Sequence, residues 1–331
     1  MDRIVIKRVG LISKLGKREE QVLKHLENNT YLSQDRLDFE NFLDNRKTRR
    51  MNRIARMLTS TIYDCMDGLK PEDSIIPADT GIIVNVAYGA INTTMDFGRL
   101  VNRKTPELAS PTDFANSVSN AIIGHAAMYY GLKGPSTLLM GGNTVYYTMR
   151  LLKRQDANEI FCCGVEEYCK PIHEYAAAKY KTTLFGEGAA ALLLSNQGKS
   201  EYGYILGGSE TGLGYSPLFT DSEDETGKFS KLIMKTIQAS NVDEKEIDCI
   251  LLGSDSCSGL RTAEEKAVDE IFTGKPKIIP VKDLLGETLG AGMTLSIAVA
   301  AILIRSGQYK KILVNGIEVS GTLESFVLSC A

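Results

Sequence analysis

The side chains suited to nucleophilic or acid–base chemistry are few in this chain of 331 residues: three histidines, His25, His125 and His173, and seven cysteines. A cysteine attacks as its thiolate, which needs a helix N-terminus, a histidine or another cation beside it. No cysteine occurs between Cys65 and Cys162. Cys162 and Cys163 are adjacent in an apolar, strand-like run, where burial favours the inert thiol. Cys257 stands in Ser254-Asp-Ser-Cys-Ser258 with no histidine near it in sequence, and its neighbour Asp255 disfavours a thiolate. His25 lies in a polar helical stretch and His125 in a helix before Gly131; core packing or solvent contact accounts for both without catalysis. Seven cysteines without metal-ligand spacing point to reduced, buried thiols and to no metal site.

The elements that position these groups are bounded first by composition. The 38 basic and 41 acidic residues give a net charge of −3, which offers no electrostatic case for nucleic acid as the main partner. An apolar content of 43% with 24% charged residues is ordinary for a folded soluble protein. Residues 1–9 carry charge where a secretory segment would be apolar, so none is expected. The longest uncharged apolar run, residues 289–304, is interrupted by Gly, Ser and Thr. It falls short of the roughly 20 residues that span a bilayer, and reads as a buried helix in a cytoplasmic protein.

Two segments share one construction. Thr144-Val-Tyr-Tyr-Thr-Met-Arg-Leu-Leu152 leads through a polar turn into Asn158-Glu-Ile-Phe-Cys-Cys-Gly164-Val-Glu166. Leu295-Ser-Ile-Ala-Val-Ala-Ala-Ile-Leu303 leads likewise into Lys310-Lys-Ile-Leu-Val-Asn-Gly316-Ile-Glu318. Gly164 and Gly316, and Glu166 and Glu318, are each 152 residues apart. Helices alternating with continuously apolar strands imply sheets covered on both faces. The duplication implies two such halves, joined in the polar stretch 196–201, hence residues 1–198 and 199–331 of one compact unit.

Several motifs then fall in one order: Ser110-Pro-Thr-Asp-Phe114, Asn120-Ala-Ile-Ile-Gly124 and Gly131-Leu-Lys-Gly-Pro-Ser136; a basic helix over residues 44–56; Gly186-Glu-Gly188; Lys282 with Gly286 and Gly290-Ala291; and Ser320-Gly-Thr322. Together they resemble the β-ketoacyl synthases. The resemblance implies the thiolase-like fold, with duplicated α/β halves in a five-layered α-β-α-β-α arrangement.

Members of that family condense acyl chains with a cysteine at a helix N-terminus and two histidines that stabilise charge on the decarboxylating partner. Counted from Gly134-Pro135, the cysteine's place falls on Asn143 in Met140-Gly-Gly-Asn-Thr144, and a shift of several residues meets no cysteine. The first histidine corresponds to Ser254 and the second to Glu287. Lys282 is kept, but the glutamate that accompanies it in the family is here Ser296. Losing one member of such a set costs about 10⁴ to 10⁶ in rate, so these positions read as vestigial. The resemblance is nearest to the chain-length factor, or ketosynthase β, of type II polyketide and aryl-polyene synthases. That implies a heterodimer with an active ketosynthase, no cofactor of its own, and acyl chains presented on the phosphopantetheine of an acyl carrier protein.

Phe114, Ser117, Val118 and Ala121 follow the i, i+3, i+4, i+7 pattern of one helical face, which either meets the partner and limits the tunnel or is ordinary core. Arg46, Lys47, Arg49, Arg50, Arg53 and Arg56 form either a carrier-docking patch or a solvated and structural face. Two other functions stay open at this level: an acyl-transferring enzyme with a site rearranged around Cys257, Ser254 and Glu287, and a homodimeric pseudoenzyme that binds acyl chains or carrier protein.

Overall fold

The computed structural model describes residues 3–39, 43, 45–69, 76–103, 106–179, 185–217, 224–255 and 259–330. The strands are β1 (Ile4–Ile12), β2 (Gly81–Val86), β3 (Ser136–Met140), β4 (Glu159–Glu166), β5 (Gly188–Ser195), β6 (Tyr204–Gly212), β7 (Cys249–Leu251), β8 (Lys277–Ile279), β9 (Lys311–Ile317) and β10 (Thr322–Ser329). The helices are α1 (Glu19–Asn28), α2 (Asn45–Thr48), α3 (Arg53–Cys65), α4 (Ile91–Asn102), α5 (Pro111–Asn116), α6 (Asn120–Tyr130), α7 (Thr144–Lys153), α8 (Lys170–Lys179), α9 (Thr226–Ser240), α10 (Gly259–Ile271), α11 (Val281–Leu285) and α12 (Gly292–Arg305).

The strands line up as β3-β2-β4-β5-β1-β6-β10-β9-β7-β8. Read inward from either end the pattern is the same: three parallel strands, then two antiparallel ones. The two fives meet where Ile4 faces Ile205 and Val5 faces Tyr204. β4 and β9, which carry the 152-residue repeat, occupy equivalent places in the two fives.

Helices cover both faces, as the continuous apolar strands require. β5, Gly-Ala-Ala-Ala-Leu-Leu-Leu-Ser, is buried along its whole length. α3 and α6 pack on the outer face of the first five strands. α9 and α10 cover the outer face of the second five. Between the sheets lies α12, buried from Met293 to Ile304 and touching β1, β4 and β5 on one side and β9 and β10 on the other. A helix apolar all round is stable only in such a place. These are the five layers, and the 289–304 run is the buried middle one. Among the described residues no helix is long and apolar enough to cross a membrane.

Three local readings need correction. The basic segment 44–56 is not one helix. α2 ends at Thr48, and α3 starts at Arg53 because the Asn52 side chain caps it, accepting from the Ala55 N–H at 3.1 Å. The face Phe114, Ser117, Val118 and Ala121 is also interrupted. α5 stops at Asn116, where the Ser117 hydroxyl turns back to the Phe114 carbonyl at 2.8 Å, and α6 begins at Asn120. Finally, Cys65, Cys162, Cys163, Cys169 and Cys249 are buried, but Cys330, at the end of the last strand, is exposed.

Candidate functional site

β3 runs into Gly141 and Gly142, and α7 begins after Asn143. All three residues have positive φ, at 88°, 132° and 69°. Asparagine is one of the few residues with a side chain that readily adopts this backbone, and the three together produce the kind of sharp strand-to-helix turn on which acyl-transfer nucleophiles sit. Asn143 occupies the head of that turn. Its side-chain Oδ1 is buried without a hydrogen-bond partner.

The turn is held from below and above. Asn85 on β2 accepts from the N–H groups of Gly141 (3.1 Å) and Gly142 (3.0 Å), and its amide donates to the Gly290 carbonyl and to Glu318 Oε2. Above it, a Cβ on Gly142 would stand 3.2 Å from Glu318 Cγ and 3.3 Å from Thr322 Cβ. The Asn143 N–H donates to Glu324 Oε1 at 2.5 Å. Glu324 and Glu318 are both buried. Burial pushes the Glu324 carboxyl up to about 8, with the charge of Glu318 adding to the rise. Burial likewise lifts Glu318 to about 7, opposed by the Lys282 ammonium.

Ser254 is buried, and its hydroxyl and N–H both bond the Glu264 carboxylate. Glu264 also accepts from the Gly253 N–H and the Asn315 amide, and the Ser254 carbonyl accepts from Arg261 at 2.5 Å. A hydroxyl committed to a buried carboxylate inside a filled network is a structural anchor.

Lys282 lies 2.5 Å from Glu287 Oε2 and donates to the Ile317 carbonyl at 3.3 Å. Burial works against its ammonium, but the Glu287 carboxylate, with Asp255 and Glu318, outweighs this and raises its pKa. The Ser296 hydroxyl is turned to the Gly292 carbonyl within its own helix. Lys282 has thus found its counter-ion in Glu287. Glu287 Oε1 accepts from the Leu289 N–H, which fixes the carboxylate on both sides. Cys257 lies outside the described residues.

The histidines stand apart from this turn. The half-buried His25 meets Thr30, and His125 Nε2 meets the Asn116 side chain at 2.8 Å. His173 is buried between Tyr168 and Phe185, and that burial pushes it down to about 4. Burial also lifts the Cys65, Cys162 and Cys249 thiols to about 12. Of the basic residues, Arg53 is structural: it pairs with Glu187, which is buried and also holds the Leu37 and Tyr168 N–H groups. Arg46, Lys47, Arg49 and Arg50 are exposed.

The structure therefore gathers Asn143, Lys282 and Glu287 around Glu318 and Glu324, while Ser254 belongs to a separate anchored network. Asn85 and Glu324 escape sequence reasoning. The only signal for Glu324 is an acid inside the apolar strand of residues 322–329. Glu318 is visible as the second member of the 152-residue repeat. Its counterpart Glu166 accepts the N–H groups of Ala87, Tyr88 and Gly89. Phe114 and Val118 are exposed, and Ser117 and Ala121 half-buried.

The family model of the β-ketoacyl synthase N-terminal domain matches residues 7–199. No curated protein matches the sequence. The crystal structure of a β-ketoacyl synthase from Burkholderia phymatum STM815 superposes with a TM-score of 0.82 at 15% identity, covering 99% of each chain. The ishigamide ketosynthase/chain length factor gives 0.78 at 17% identity, again over 99% of each. AntDE:AntF (apo), a type II PKS acyl-carrier protein in complex with its ketosynthase bound to the hexaketide, gives 0.80 at 12% identity over 100% of this chain and 99% of that one. At such identities these structures speak to fold alone. The family match spans more than half of the sequence and contains the turn at Asn143, and on that ground the chain belongs to the β-ketoacyl synthase family.

Proposed function

We propose that this chain is a non-catalytic chain-length factor: it pairs with an active ketosynthase and shapes the tunnel that limits a polyketide or polyene chain. The observation that carries this reading is the occupant of the strand-to-helix turn. An asparagine amide has no acyl-accepting lone pair to offer, and the residue's backbone N–H is already held by Glu324. The other two expected groups, Ser254 and Glu287, are committed to Glu264 and Lys282.

The open face beside the turn supports a partner. Among the described residues β3 pairs only with β2 and ends the row of strands, and an unpaired strand edge invites another chain. Met140 ends that strand (61% exposed), Met128 (74%) lies on α6, which packs on β3, and Phe114 (61%), Val118 and Leu108 are exposed on the segments before α6. Exposed large apolar residues on an edge strand and on the helix that packs against it are the kind that an interaction surface uses. On this reading Phe114, Ser117, Val118 and Ala121 border the partner and the end of the tunnel. Residues 1–198 and 199–331 are the two halves. The acyl chains arrive on the phosphopantetheine of a carrier protein that docks on the complex. Among the described residues no cluster of His, Cys, Asp and Glu is arranged to hold a metal ion.

The test is co-expression with a ketosynthase that carries the intact cysteine and two histidines, chosen from the neighbouring gene where one exists. A 1:1 complex should survive purification and size measurement, and chain length should change when Phe114 or Val118 is enlarged. A stable monomer or homodimer that ignores the ketosynthase refutes the reading. Condensation of two acyl units by this chain alone would favour the rearranged-site enzyme instead.

A further inference from the structure

The turn at Asn143 has three successive backbone N–H groups, and the structure uses all of them. Asn85 Oδ1 takes those of Gly141 and Gly142, and Glu324 Oε1 takes that of Asn143. In acyl transfer at such a turn the N–H at the helix head receives the oxygen that becomes negative, and it must be open when the substrate arrives. Here an internal carboxylate sits on it. Glu324 reaches the turn from β10, and the elements around it present further acids: Glu210 lies directly opposite on β6, and Glu318 follows the end of β9. Glu210 Oε2 is buried without a partner, and beyond Glu318 stands the Lys282–Glu287 pair. Like charges opposite one another on neighbouring strands destabilise a sheet, and Glu210 is among the neighbours that keep the Glu324 carboxyl protonated up to about 8.

We infer that Glu324 is a built-in plug, an autoinhibitory contact that closes the vestigial acyl site to a thioester carbonyl independently of the missing cysteine. This rests on Asn143 holding the nucleophile's place, and not on the identity of any partner. Two locks therefore stand in series. Restoring the cysteine opens one, and the second stays shut because the Glu324 carboxyl occupies the helix-head donor and, once ionised above about pH 8, repels a thiolate beside it.

The test is a set of three variants, Asn143→Cys, Asn143→Cys/Glu324→Gln and Asn143→Cys/Glu324→Ala. Each is alkylated with iodoacetamide across pH, and the modified peptide is located by mass spectrometry so that Cys330 does not confuse the result. With Glu324 present, the new thiol should react more slowly than a free cysteine and titrate above the ordinary range. Removing the carboxyl should lower the thiol pKa by about one unit or more and raise the rate severalfold at about pH 9, where Glu324 would be ionised beside the thiol. Glu324→Gln keeps size and shape, so it carries the test if the alanine variant fails to fold. Equal rates and equal titration in all three variants overturn the plug. That result would leave the partner reading intact, since co-purification tests it separately.

Discussion

Glu287→Gln is the most informative single substitution at the site, because it asks what the carboxylate beside Lys282 is for. The Lys282 ammonium is 2.5 Å from Glu287, and the two side chains are 11% and 15% exposed. Water therefore screens the pair little. Without the carboxylate, Lys282 retains the Ile317 carbonyl at 3.3 Å and the influence of Asp255 and Glu318. Stranding a buried charge costs about 3–5 kcal/mol. The remaining neighbours and residual exposure place Glu287→Gln near the lower end, about 3 kcal/mol. Lys282→Met should cost about 2 kcal/mol, because Glu287 keeps the Leu289 N–H. The double variant, which removes both charges, should also cost only about 2 kcal/mol, giving a coupling near 3 kcal/mol. The Lys282 pKa is raised above 10.5, so its stabilising contribution is complete below that value and is lost only as pH rises through the folded value. The cycle is therefore run at pH 7, by urea unfolding followed with far-UV circular dichroism. Glu287→His should destabilise about as much as Glu287→Gln, since an imidazole cannot balance the ammonium. Additivity of the two single substitutions within about 0.5 kcal/mol would refute the argument.

Other expectations follow from the same geometry. Glu324 and Glu318 are lifted to about 8 and about 7. Between 4.5 and those values the unfolded chain is ionised while the folded one holds the protons, so stability should fall as pH rises from 6 to 8. At about 1.4 kcal/mol per unit, Glu324 alone accounts for at most about 2–3 kcal/mol, and Glu324→Gln should flatten the slope of unfolding free energy against pH. Met140→Glu and Met128→Glu alter exposed side chains; the isolated chain's melting temperature should stay put, while recovery with a ketosynthase falls about 10-fold or more. Gly164→Ala would place a Cβ 2.3 Å from Thr294 Oγ1, 2.8 Å from the Gly290 carbonyl and 3.0 Å from Ala291 Cα, so thermal unfolding should show a loss of about 2–3 kcal/mol.

Much of the frame was legible because it depends on patterns short enough to read in a line of residues. An apolar run of helix length without charge has only one stable environment in a folded protein, and α12 occupies it. The 152-residue offset announced two equivalent strands, and β4 and β9 are those strands. The turn before α7 was legible as Gly-Gly-Asn, the residue types that tolerate positive φ. The helical face through Phe114 and Ala121 was misread because periodicity cannot see a hydroxyl that turns back on its own helix, as Ser117 does. The basic stretch was misread because Asn52, an uncharged residue inside it, decides where α3 begins.

The sequence by itself determined which residue types stand at the turn: Met140-Gly-Gly-Asn-Thr144 carries no cysteine, although the fold brings the buried Cys162 of β4 within the influence of Glu324. It also determined the alternation and duplication of elements, since burial on both faces needs continuous apolar strands. Only the tertiary structure decided which charged groups meet at that turn. Glu287 meets Lys282 across a loop, and Glu324 crosses from the last strand to the N–H of Asn143, 181 positions away. Contacts of that span leave no periodicity in the chain. They arise from sheets stacked around α12, where the low dielectric makes the choice of neighbour for each buried charge a matter of kcal/mol.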